Sequence, residues 1–255
     1  MTVEYSGHGD PARTMELLWG TRSGPRRGPK PVLSVKEIVR VAVEVADAGG
    51  LEALSMRRVA EQLGISTMSL YTYVPAKGEL LDLMLDTVMG EAVGRDETNE
   101  GWREGLVVVA RRNWELYHRH PWVLRVSATS RPPLGPNVIA KYDRELRTVD
   151  GIGLTEVEMD SVLTLVLGYV EGTARRSVEA SEAVKRTGKT DDEWWRDNAP
   201  LLEKVFDAER YPVAARVGAA AGAAYEAAYS PEYAFSFGLE RVLDGIETLV
   251  RTRKE

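Results

Sequence analysis

The chain has 255 residues, 28% charged and 44% hydrophobic, enough for a buried core in one domain or two. It contains no cysteine, which excludes disulfides, thiolate metal sites and cysteine nucleophiles. The net charge of −6 argues against indiscriminate binding to nucleic acid. Residues 26–80 nevertheless carry eight Lys/Arg against six Asp/Glu, a surplus of +2 that leaves −8 for the rest.

Residues 1–33 show weak periodicity, and residues 20–31 read GTRSGPRRGPKP. That composition predicts a flexible basic leader. Arg26, Arg27 and Lys30 either touch DNA phosphates or a minor groove, or are simply solvated. Residues 15–19 are apolar enough for a helical turn. Ser34 and Glu37 have the spacing of a capping box, and Ile38, Val39, Ala42, Val45 and Ala46 follow at helical intervals. Gly49 and Gly50 end this first helix. Ser55 caps a second helix to about Leu63. Gly64 makes a turn, Ile65 plugs beneath it, and Ser66 caps a third helix.

Residues 54–77 read LSMRRVAEQLGISTMSLYTYVPAK. Ala60 is small where two helices cross, Gly64 occupies the turn, and Leu70 locks the second helix against the first. Those three features within eleven residues are what a helix-turn-helix requires. The second helix carries Ser66, Thr67, Met68, Ser69, Tyr71, Thr72 and Tyr73. Hydroxyls and phenols can bond base edges and phosphates, and methyl groups can pack on thymine. Pro75 stops this helix. Gly78 precedes an apolar helix over residues 80–89, the expected link between head and body.

The body begins with a helix from Trp102 to His120, broken by Pro121. Three of the six tryptophans, Trp102, Trp114 and Trp122, lie here. Such aromatics are core residues by default, and they also suit the wall of a pocket for a flat apolar or aromatic ligand. The candidate lining is Trp102, Leu106, Trp114, His118, Trp122, Tyr142, Leu165 and Tyr169. His118 and His120, two apart, do not share a helix face, so no metal site is expected. His120 is expected to cap the helix end. A loop over 131–136 precedes a helix over 137–149.

Thr155 and Glu158 form a second capping box, opening a helix to about Ala180. Its middle, residues 162–170, is apolar all round and is expected to be buried on every side, with one face against a second subunit. Residues 191–206 begin another helix. The stretch 214–228 contains nine alanines and is expected to be mobile or inserted. Pro231 starts the last helix, with Gly238 and Gly245 seven apart where another helix can approach closely. The candidate dimer surface is Val162, Val166, Tyr233, Phe237, Gly238, Arg241 and Gly245.

The fold class is therefore all-α. A three-helix helix-turn-helix head over 34–93 joins a larger helical ligand-binding and dimerisation domain over 94–255. There is no G-x-S-x-G, P-loop, dinucleotide fingerprint or H-E-x-x-H, so neither catalysis nor a cofactor is expected. The N-terminus has no apolar signal core, and the longest apolar run is far too short to span a bilayer. The expected location is the cytoplasm, with no membrane partner.

Residues 34–93 resemble the DNA-binding head of the TetR family of bacterial transcriptional regulators. The residues that carry the likeness are GGLEALSMRRVAEQLGISTMSLYTYVPAKGELLDLML. His118-Arg-His-Pro-Trp122 is similar to the element that opens the body in the tetracycline-repressor-like branch. Thr72 and Tyr73 depart from the family pattern, which often has a larger or basic residue and a histidine there. The leader and residues 179–216 also make this chain longer than typical members. The resemblance implies that Arg57 reaches a guanine and that Met56 offers its backbone N–H to a phosphate. Thr67, Met68 and Ser69 would read bases, while Tyr71, Tyr73 and Lys77 would hold phosphates. It implies a homodimeric repressor on a palindromic double-stranded DNA operator, released by a small ligand. An enzyme with a merely structural helix-turn-helix, and an architectural binder without a ligand, remain the alternatives.

Overall fold

The computed structural model describes residues 10–21, 33–93, 101–126, 132–225 and 230–254. The described residues form helices and turns with no strand. Arg26, Arg27 and Lys30 lie outside the described residues.

The leader is not featureless. Helix α1 (Pro11–Trp19) is capped by the Asp10 carboxylate at its start and by left-handed Gly20 at its end. It buries Leu18 against α5 (Lys77–Met89), and the Trp19 indole N–H donates to the Leu134 carbonyl at 2.9 Å. The helical turn expected at residues 15–19 is part of this longer helix, whose apolar edge finds a groove that sequence periodicity does not reveal.

The head contains α2 (Val35–Ala53), α3 (Met56–Gln62) and α4 (Thr67–Tyr73), with α5 beneath them. Ser34, Ser55 and Ser66 each accept the backbone N–H three residues on, at 3.1–3.2 Å, which fixes where the three helices start. Gly50 adopts φ 72°, so α2 breaks there before one more turn. Gly64, at φ 67°, makes the turn between α3 and α4. Val59, Ala60 and Leu70 are fully buried where these two helices cross.

The body contains α6 (Trp102–Arg119), α7 (Val123–Val126), α8 (Pro136–Leu146), α9 (Glu156–Thr187) and α12 (Pro231–Lys254). Helix α9 packs along both α6 and α12. Thr155 and Glu158 form the expected capping box, and α9 continues beyond Ala180 to Gly188. Its middle is not buried all round. Val162, Val166 and Val170 face the core, while Leu165 is 53% exposed beside exposed Thr164 and Gly168.

Helix α10 (Asp191–Glu203) forms where a helix from residue 191 is expected, and α11 (Pro212–Tyr225) runs into the alanine-rich stretch expected to be mobile or inserted. A capping box at Thr190 and Glu193 starts α10. Alanine, the best helix former, is abundant in α11. Neither helix buries a residue within the chain.

Tyr169 locks α9 to α12 by donating its hydroxyl to the carbonyls of Ala234 and Phe235, the latter at 3.1 Å. A Cβ on Gly238 would stand 2.2 Å from that hydroxyl oxygen. Gly238→Ala should therefore displace Tyr169 and lower stability by about 1–3 kcal/mol, read as a lower urea midpoint.

Buried Asp86 ties α5 to α8. Its carboxylate accepts the N–H groups of Asn137 and Val138 and the Asn137 side-chain amide, each at 3.0 Å. Burial raises its pKa, although these three bonds oppose the shift. The folded state thus binds this proton more tightly than the unfolded chain. The group's contribution to stability is present below the ordinary aspartate value and is lost as pH rises through the raised one. Asp86→Ala, which orphans the α8 N-terminus, should cost about 1–3 kcal/mol in chemical denaturation. Asp86→Asn keeps an acceptor and should cost much less.

Candidate DNA-reading head and ligand-binding body

Ser66, Met68, Ser69, Tyr71 and Thr72 form the outer face of α4, and Met68 is 76% exposed. Thr67, Tyr73 and Lys77 are half-buried at its edges. The geometry sorts these candidates. The Ser66 hydroxyl already caps α4 and lies 2.8 Å from the Ser69 hydroxyl, so it serves the helix first. The Thr72 hydroxyl donates to the Ser69 carbonyl at 2.7 Å. Tyr73 leans on the head core, leaving Tyr71 as the more open phenol. The Met56 side chain is buried, so only its backbone N–H, at the start of α3, is available to a phosphate.

The Arg57 guanidinium is 82% exposed and pairs with Glu61, with Nε at 2.7 Å from the carboxylate. That hydrogen bond raises the Arg57 pKa. An exposed pair of this kind is weak, so the side chain can exchange Glu61 for a base edge at small cost.

The aromatic lining expected for a ligand pocket is distributed elsewhere. Leu106 is fully buried in the core, and Trp102 packs half-buried against it. Trp114 packs against Phe235 and His118 with tilted rings, the centroids at 4.4 Å in each pair. The His118 ring meets the Trp114 carbonyl and the Ser177 hydroxyl, each at 2.8 Å. Trp122 is buried at the head–body joint. Tyr142 is exposed and donates to Asp160 at 2.7 Å. Tyr169 holds α12, and Leu165 lies on the outer face of α9. These side chains are drawn apart by core packing, which aromatic content alone does not distinguish from a pocket.

The cavity forms instead between α6, α8 and the turn after α5. Its volume is about 300 Å³. Val93, Val108, Val109 and Arg112 line one wall, from the turn after α5 and from α6. Lys141, Arg144, Glu145, Arg147 and Thr148 line the other wall, from α8 and the turn after it. At that wall Lys141 and Glu145 form a buried ion pair at 2.7 Å. Asn113 donates to Glu145 at 2.8 Å, while its own buried carbonyl oxygen has no partner among the described residues. Pattern reading missed this cluster because Lys141 and Glu145, four apart, look like an ordinary surface helix pair.

A second, apolar groove of about 380 Å³ runs between α9 and α12, lined by Val162, Leu165, Val242, Gly245, Ile246 and Leu249 among others. Tyr233 and Phe237 stack nearby at 5.8 Å, both about half exposed, and Arg241 lies over Phe237. Of the candidate dimer residues, Val162 and Val166 are core residues of this chain, and their register along α9 places Leu165 outside instead. Gly238 is filled by Tyr169.

A capped helix-turn-helix on an all-helical body with an internal cavity defines a class of two-domain DNA-binding regulators. Residues 38–84 match the family model described as bacterial regulatory proteins, tetR family. Residues 95–250 match the tetracyclin repressor-like C-terminal domain. The chain belongs to the TetR family. It is 48% identical to the HTH-type transcriptional repressor DrrR1 of Streptomyces coeruleorubidus, over 99% of this chain and 92% of that one. It is 23% identical to the class E tetracycline repressor protein of Escherichia coli, over 87% and 94% of the two chains. Among solved structures, ActR of Streptomyces coelicolor in complex with actinorhodin superposes with a TM-score of 0.69 at 27% identity, covering 86% of this chain and 99% of ActR. Among the described residues no helix is long and apolar enough to cross a membrane.

Proposed function

We propose that the protein is a homodimeric transcriptional repressor that reads a palindromic operator and is released by a small aromatic ligand. The exposed outer face of α4 carries this reading, since Met68, Ser69 and Tyr71 stand open on a capped helix. Arg57 reads a guanine, and Thr67, Met68 and Ser69 meet neighbouring base edges. Tyr71, Tyr73, Lys77 and the Met56 N–H hold phosphates. Ser66 and Thr72 act by shaping the helix. The α9–α12 groove with Tyr233, Phe237 and Arg241 forms the dimer contact, as its exposed apolar lining supports. The ligand occupies the cavity between α6 and α8. Relatives named as repressors, and an actinorhodin complex of a similar fold, support this reading. The protein is not an enzyme: its cavity and head serve binding alone.

Gel shift of the duplex upstream of the protein's own gene tests it. A retarded complex that actinorhodin, used as a probe aromatic, dissolves would support operator binding and release together. No retardation at low salt would contradict operator binding. A ligand that binds only the native chain should also raise its melting temperature, by about 2.7 kcal/mol of added stability at a hundredfold excess over Kd.

A further inference from the structure

Two buried donors of the body converge on one carboxylate of the head. The chain leaves α6 at His120, turns at Pro121 and enters α7, and this turn lies against α2. The His120 Nδ1 stands 2.7 Å from Asp47 Oδ1, and the Trp122 indole N–H donates to the same oxygen at 2.8 Å. The other His120 ring nitrogen lies 3.2 Å from Glu91, in the turn after α5. Burial pushes the Glu91 carboxyl up, but Arg119 and His120 outweigh it and hold the group below its ordinary value. An ionised carboxylate only accepts, so both ring nitrogens of His120 face acceptors. The His120 side chain is 5% exposed and Trp122 is 2% exposed, while the Asp47 side chain is 31% exposed, so the two buried donors meet the carboxylate at the edge of the joint. The neighbouring pair of Arg125 with Glu52 of α2 is exposed and adds little.

The head is also carried by α5, which packs against α2 and is tied to α8 through Asp86. The Asp47 bonds act on a different element, α2, and so hold the head at a further point. We propose that Asp47 is a positioning residue: through His120 and Trp122 it fixes the angle of the recognition helix to the body, and so sets the operator half-site spacing that the protein prefers. Asp47 does not itself touch DNA. Its donors sit in the turn between α6, which lines the ligand cavity, and α7, so the joint also lies on the path from cavity to head.

This inference rests on the reading of the chain as a dimeric operator binder. The test uses the full chain. A duplex is first selected by the wild type from a random pool. Binding is then measured to that duplex and to versions lengthened or shortened by one base pair between the half-sites. The wild type should prefer its selected spacing about tenfold, and Asp47→Ala, which removes the head-side acceptor that both donors share, should bind all three within about twofold. Trp122→Phe keeps an aromatic ring, though a smaller one, and loses one donor, and should reduce the preference to about threefold. Asp47→Asn retains an acceptor oxygen and should restore most of it.

A merely structural role would lower the melting temperature and weaken binding equally at every spacing. An unchanged preference in Asp47→Ala and Trp122→Phe would overturn the proposal and leave operator binding standing. If melts show that Asp47→Ala has lost its fold, the Trp122→Phe ratio decides. A wild type that selects no duplex would overturn both readings.

Discussion

Lys141→Met is expected to destabilise the protein by about 3–5 kcal/mol, because it strands a charged glutamate inside the body. Glu145 is 5% exposed, and Lys141 bonds both of its oxygens at 2.7 and 2.8 Å. Without the ammonium, the carboxylate keeps the bond from the Asn113 amide but loses the cation that meets both of its oxygens. The double variant Lys141→Met with Glu145→Leu removes both charges and should recover most of the loss, since buried pairs exchange for apolar groups at little cost. Urea unfolding monitored by tryptophan fluorescence distinguishes the two cases. Equal losses in the single and double variants would show that the side-chain volumes, and not the stranded charge, govern the site. The cluster also has consequences for ligands. It places an ammonium and a carboxylate in the lining of a cavity that Arg112, Arg144, Arg147 and Thr148 also line, so the molecule that fills it needs polar groups.

Arg57→Ala is expected to weaken operator binding by about 1–3 kcal/mol per half-site and to relax the preference for guanine at one position. The side chain makes no described contact that stabilises the fold other than the exposed pair with Glu61, so the melting temperature should hardly move. Tyr71→Phe should act differently. Loss of a phosphate contact weakens binding to all sequences alike and leaves base preference intact. Fluorescence anisotropy on a set of duplexes with single base changes separates the two patterns. An Arg57→Ala protein that binds every duplex as the wild type does would remove Arg57 from the interface.

The head was legible in the sequence because its signals are local. Ser34, Ser55 and Ser66 sit where the caps form, Gly64 where the turn reverses, and Ala60 where two helices cross. Each is decided within a few residues. The body was legible as helices but not as a site. Trp114, Trp122 and His118 look alike as aromatic candidates, yet one packs against Phe235, one bonds the head and one bonds Ser177. Those partners lie 59 to 121 positions away along the chain, beyond the reach of periodicity. The register of α9 was misjudged for a related reason. A run of Val and Leu broken by Thr164 and Gly168 shows no polar face, so only packing reveals that Val162 and Val166 point inward and Leu165 outward. Docking of α1 depends on Leu18 and Trp19 meeting α5 and residue 134, which no pattern within the leader encodes.

Selection of duplexes from a random pool by the full chain, repeated with an Arg57→Ala, Tyr71→Phe double variant, bears most directly on the assigned role. The wild type should enrich an inverted repeat whose half-sites are centred about one helical turn apart, or slightly more, and the double variant should enrich nothing at the same salt. Failure of the wild type to enrich any sequence, or enrichment of the same repeat by both proteins, would contradict it.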